Sequence, residues 1–118
     1  MIPTSEAPLP LKPVRFIGSS RRDLRAMPGT IRHAIGERLM TLQLGGTPAD
    51  IKPIPTVGAG ACEIRTRDAA GAFRAVYVAK FSEAIFVLHV FQKKTRKTAK
   101  ADLMLARQRY RQISGSKP

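Results

Sequence analysis

The sequence is short of the residues that build covalent and metal frameworks. Its 118 residues include one cysteine, Cys62, and two histidines, His33 and His89. A single thiol excludes an internal disulfide and fits a reducing, cytoplasmic setting. One Cys and two His fall short of the usual zinc sites, so neither a metal nor another cofactor is expected. Long apolar runs are missing as well. No stretch approaches the ~20 residues a membrane-spanning helix needs, and the N-terminus lacks the apolar core of a signal peptide. Acidic residues are scarce, eight against twenty-one Lys and Arg, which leaves a formal net charge of +13.

The remaining composition is that of one modest globular domain, 43% hydrophobic and 25% charged. The positive charge is unevenly spread. Residues 1–62 hold 8 basic and 4 acidic side chains, and residues 63–118 hold 13 and 4. An excess of this size favours a polyanionic partner, nucleic acid first and an acidic protein second, over a merely solubilising surface.

Four prolines between Pro3 and Pro13 mark residues 1–13 as a mobile extension that adds no core. A single domain is expected over 14–113, with a flexible tail at 114–118. Val14–Gly18 alternates like a short strand, and Ser19 or Ser20 offers an N-cap for a helix through Met27. After Pro28-Gly29-Thr30, the spacing of Ile31, Ala34, Ile35, Leu39 and Leu42 predicts a helix to Leu44, ended by Gly45-Gly46. Gly36 inside it points to a close helix contact. Residues 45–61 read as a loop, in which Gly58-Ala59-Gly60 is either a plain turn or, less readily, a phosphate cradle. Three strands follow, Cys62–Asp68, Ala72–Lys80 and Ala84–Gln92, then a helix over about Ala99–Ile113. The fold class is α+β, a small mainly antiparallel sheet with an N-terminal α-hairpin and a C-terminal helix, in the order β-α-α-β-β-β-α.

Period-two geometry sorts the strand side chains. Glu63, Arg65 and Arg67 share a face, Arg74, Val76, Val78 and Lys80 project together, and His89, Phe91 and Lys93 line up opposite Leu88, Val90 and Gln92. If these faces coincide, Arg65, Arg67, Arg74 and Lys93 meet on one surface. Four cations there repel one another unless an anion neutralises them, which points to function. The basic run Lys93-Lys94-Thr95-Arg96-Lys97 leaves the last strand directly. Plainer readings stand beside this one: solvent-face arginines, an Arg74 paired with Glu63 or Asp68, a packed His89, a generic basic strand end. Phe73 and Tyr77 read as core, or else as an aromatic on the open face that stacks a base.

Several segments, in this order, resemble the RelE/ParE toxin superfamily, most closely its phage-derived RelE-like branch of HigB type. They are Val14-Arg15-Phe16-Ile17-Gly18-Ser19, Glu63-Ile64-Arg65-Thr66-Arg67-Asp68, Gly71-Ala72-Phe73-Arg74-Ala75-Val76-Tyr77 and Leu88 through Thr98. The resemblance implies a toxin of a type II toxin–antitoxin system that cuts mRNA, typically on the ribosome, and is silenced by a helix-turn-helix antitoxin. It places catalytic cations at Arg65, Arg74 and Lys93 or Lys94; independently of it, the titratable His89 and Glu63 on the same inferred surface are alternative bases. Arg67, Lys94, Arg96 and Lys97 are then RNA-binding. One cation position of the family is occupied here by Glu63, and the place of a helpful Tyr falls near Thr98-Ala99. Three other functions remain open: a ParE-like gyrase inhibitor of the same fold, a non-catalytic basic nucleic-acid-binding module, and a plain partner protein that docks through its last helix.

Overall fold

Apolar residues on both sides of three consecutive strands require cover on both sheet faces, and helices supply it. The computed structural model describes residues 11–114. Most of the Pro-rich extension and the last four residues therefore lie outside the described residues. The elements are β1 (Val14–Phe16), α1 (Ser20–Arg25), α2 (Gly29–Gln43), β2 (Ile51–Pro53), β3 (Ala61–Asp68), β4 (Gly71–Val78), β5 (Ile85–Lys93) and α3 (Lys100–Ser114). They form one five-stranded sheet in the order β1-β5-β4-β3-β2. β1 joins β5 in parallel, and every other pairing is antiparallel.

One face packs Ile64, Phe73, Ala75, Tyr77, Ile85, Val87 and Val90 against Ile31, Ile35 and Leu39 of α2, with Leu24 of α1 at the margin. The other packs Val76, Val78, Phe86 and Leu88 against Ala106 and Ile113 of α3. The α+β architecture is the expected one, with a strand added. β2 was hidden inside the expected 45–61 loop because it spans three residues and ends on Pro53. A proline without an N–H is tolerated at a sheet edge, where pairing is a matter of backbone position and not of side-chain alternation.

Three further expectations change. Gly36 makes no close helix contact, since a Cβ added there would meet nothing within 4 Å. The Gly58–Gly60 turn is a packing site and not a phosphate cradle. A Cβ on Gly58 would stand 2.5 Å from the Tyr110 ring, and the Tyr110 hydroxyl donates to the Ala59 carbonyl at 2.8 Å. Ser19 occupies the N-cap of α1 without a capping bond to the backbone; its hydroxyl donates instead to Asp23 Oδ2 at 2.7 Å.

The most consequential departure is a bulge in β5. Val76 pairs with His89 but Tyr77 pairs with Val87, so Leu88 has no partner on β4. One extra residue reverses the alternation beyond it. Leu88, expected on the face opposite His89, therefore joins Phe86 and Phe91 in the core beneath α3. The bulge carbonyl of Leu88 accepts a 2.8 Å bond from Arg109 Nη1, while Arg109 Nη2 donates to Ser19 Oγ at 3.0 Å. Arg109, only 8% exposed, thus ties α3, the bulge and the start of α1 together.

Candidate functional site

The register places the expected cations as the alternation predicts. Arg65 is the direct partner of Arg74, which pairs in turn with Phe91; Arg67 and Lys93 both pair with Ala72. Glu63, Val76 and His89 form the next row, under the cover of α3 and the segment before it. Two arginines directly opposite on a sheet repel. Burial adds to that cost, because the Arg74 side chain is 12% exposed.

Glu63 supplies the compensation. It is 5% exposed, and its Oε1 lies 3.8 Å from Arg74 Nε. The pair is loose: Glu63 Oε2 and Arg74 Nε are buried without a hydrogen-bond partner. Arg74 Nη1 donates to the Phe73 carbonyl at 3.0 Å. Burial lowers the pKa of the Arg74 guanidinium from its ordinary value; Glu63 opposes this, and Arg65 and Arg67 push it lower. A partly desolvated guanidinium at the floor of a cationic surface is a strong trap for an anion that can replace its lost solvent.

Arg65, Arg67 and Arg74 line one cleft of about 480 Å³, together with Thr66, Asp50 and, from α2, Ala34 and Arg38. The cleft opens where β2 stops: Asp50 accepts the Arg65 N–H at 3.0 Å, the last contact of that segment along β3. Lys93 sits on the same face two strands away, its ammonium donating to the Arg96 carbonyl. Lys94 and Arg96 are exposed on the loop after β5 and line no part of this cleft. Lys97 belongs to a second, smaller pocket of about 240 Å³ with Lys52, Glu63, Thr98 and Leu103. Lys80 lies past the end of β4, over the Phe81 ring, rather than with the arginines.

His89 is buried at 6% exposure. Its Nε2 lies 2.7 Å from Asp102 Oδ1 in the first turn of α3, and its ring stacks on Phe91 with centroids 4.8 Å apart. Nδ1 is buried without a partner. The pair joins β5 to α3, and His89 does not line the arginine cleft. Asp102 and Arg38 had no distinguishing signal in the sequence. An acid in a first helical turn reads as a helix-dipole partner, and an arginine in a helix reads as a solvated face.

The comparisons fit this geometry. The phage-derived Gp49-like protein family matches residues 22–111, from α1 into α3. No curated protein matches significantly. Among solved structures, the chain is similar to one from the RelBE2 toxin–antitoxin complex of Mycobacterium tuberculosis. The two share 25% identity with a TM-score of 0.50, over 76% of this chain and 100% of that one. The family match over residues 22–111, with which the sheet and its flanking helices agree, shows that the chain belongs to the phage-derived Gp49-like family of the RelE superfamily.

Proposed function

We propose that this protein is the toxin of a toxin–antitoxin pair and acts in the cytoplasm as a metal-independent endoribonuclease on mRNA, held at the ribosome. The observation that carries this reading is the Arg65–Arg74 pair across β3 and β4, with Arg74 partly desolvated and its Nε without a hydrogen-bond partner. Two fork-shaped cations on neighbouring strands match the oxygens of a phosphate whose charge grows during the reaction. Attack of a ribose 2′-oxygen on the adjacent phosphorus forms the O2′–P bond and breaks the P–O5′ bond. One proton leaves the 2′-OH and one reaches the departing 5′-oxygen.

Lys93, at the open end of the same face, is the proton carrier of choice. Glu63, with its Oε2 free of hydrogen bonds, is the carboxylate beside Arg74 that could take a proton. His89 ranks last, because one ring nitrogen is held by Asp102 and the other is buried. Arg67, Lys94, Arg96 and Lys97 extend the positive surface along the message. The partner is a helix-turn-helix antitoxin whose acidic groups would be steered to that surface in a salt-dependent way.

The test is induction in a bacterial host with mapping of mRNA 5′ ends, alongside the Arg74→Ala/Lys93→Ala double variant. New cuts that vanish in the variant are the expected result. Cuts that persist would remove these residues from the chemistry. Growth arrest with DNA damage and no cuts would replace the reading with gyrase inhibition.

A further inference from the structure

The arginine cleft does not stop at the sheet. Arg38, in the third turn of α2, and Asp50, just before β2, close it on the α2 side. Arg38 is held in place: Nε donates to the Ala49 carbonyl at 3.3 Å and Nη1 to the Ala34 carbonyl at 3.1 Å. Its remaining nitrogen, Nη2, stands 3.7 Å from Asp50 Oδ2. Asp50 is the one non-glycine among the described residues with a positive φ, at 56°. Its carbonyl is the acceptor for the Arg65 N–H. A strained residue therefore links the counter-ion of Arg38 to the strand that carries Arg65 and Arg67.

The spread of cations sets a second constraint. Arg67 and Lys93 share Ala72 as their partner and so stand two strand spacings apart, about 9.5 Å. One phosphate does not reach across that width and also over the edge of β3 to Arg38. We propose that the cleft between α2 and the free edge of β3 holds a second phosphate of the same single-stranded RNA, gripped by Arg38 and Arg67, with Arg65 standing between it and the reacting phosphate that Arg65 shares with Arg74. This rests on the nucleic-acid reading given above. The reacting phosphate lies on the Arg74 side. Asp50 is the internal competitor: its carboxylate stands in for the phosphate on Arg38 and is displaced when the strand binds. Its own 66% exposure lets it move aside into water.

The experiment titrates the protein with a short 2′-O-methyl oligoribonucleotide, which lacks the nucleophile, by fluorescence anisotropy over a salt series. Arg38→Gln is expected to weaken binding roughly fivefold to tenfold and to lower the salt slope by about 0.7, the share of one phosphate on a single strand. Asp50→Asn is expected to tighten binding about threefold through loss of the competing charge, since asparagine accepts a positive φ. An unchanged affinity and slope in folded Arg38→Gln would overturn the proposal. So would an Asp50→Asn protein that binds no tighter, and this second variant decides alone if the first does not fold. Message cleavage with binding unmoved by either variant would end the second-phosphate site and leave the nuclease standing. The expected binding shifts without any cleavage of cellular mRNA would support the site and end the nuclease.

Discussion

Removing Arg74 should cost stability as well as activity, and a double-mutant cycle separates the two. Its guanidinium lies 3.8 Å from Glu63 Oε1, with the two side chains 12% and 6% exposed. At an effective dielectric constant of about 20, that attraction is worth about 4 kcal/mol. Breaking a buried pair by deleting one partner leaves an uncompensated charge, so Arg74→Ala is expected to lose about 3 kcal/mol. For a domain of this size that lowers Tm by roughly 12 °C. Glu63→Gln alone should cost less, about 1–2 kcal/mol, because Arg74 keeps the Phe73 carbonyl as an acceptor. In the double variant no carboxylate remains to be stranded, and the loss should fall about 2 kcal/mol short of the sum of the single losses. Urea denaturation of the four proteins at neutral pH measures each value. Cleavage should stay absent in both proteins that lack Arg74, whatever their stability. Losses that add to within about 0.5 kcal/mol would refute the argument, since the two groups would then not be coupled.

Two more outcomes follow from buried groups elsewhere. Arg109→Met should destabilise the protein by about 2–3 kcal/mol in the same denaturation assay, because the Leu88 bulge carbonyl loses its donor; a loss below about 0.5 kcal/mol would mean the bulge holds itself. Burial, with Cys62 adding, raises the Tyr77 pKa well above its ordinary 10.0. Above pH 10 the unfolded chain therefore releases a proton that the folded chain keeps, so stability present below pH 10 declines as pH rises. Tyr77→Phe should remove up to about 1.4 kcal/mol per pH unit of that decline, read as a shallower dependence of the urea midpoint between pH 10 and 11.

Alternation and spacing in the chain were enough to establish the three long strands, the two long helices and the shared face of Arg65, Arg67 and Arg74. Those features depend on local periodicity, which repeats within a few residues and leaves its mark on the sequence. The hairpin at Asp68–Gly71 was legible for the same reason: the Asp68 side chain accepts the Ala70 N–H at 2.8 Å, and Gly71 takes a φ of 132°. His89 was readable as a packed histidine or as a base, and its face was read correctly although a bulge intervenes.

Only the tertiary structure decided the rest. β2 exists because β3 offers its edge to Ile51–Pro53, a pairing that three residues do not encode. At the Leu88 bulge the carbonyl is met by Arg109, 21 positions further along the chain. The choice of Glu63 over Asp68 as the partner of Arg74 follows from which side chains share the α3 face; Asp68 is taken by Thr30 at 2.7 Å. Arg38 and Asp50 reach the cleft because α2 lies against β3, not because of any pattern around them. Sequence records which face a residue takes on its own element. Which faces meet is settled by packing between segments far apart in the chain.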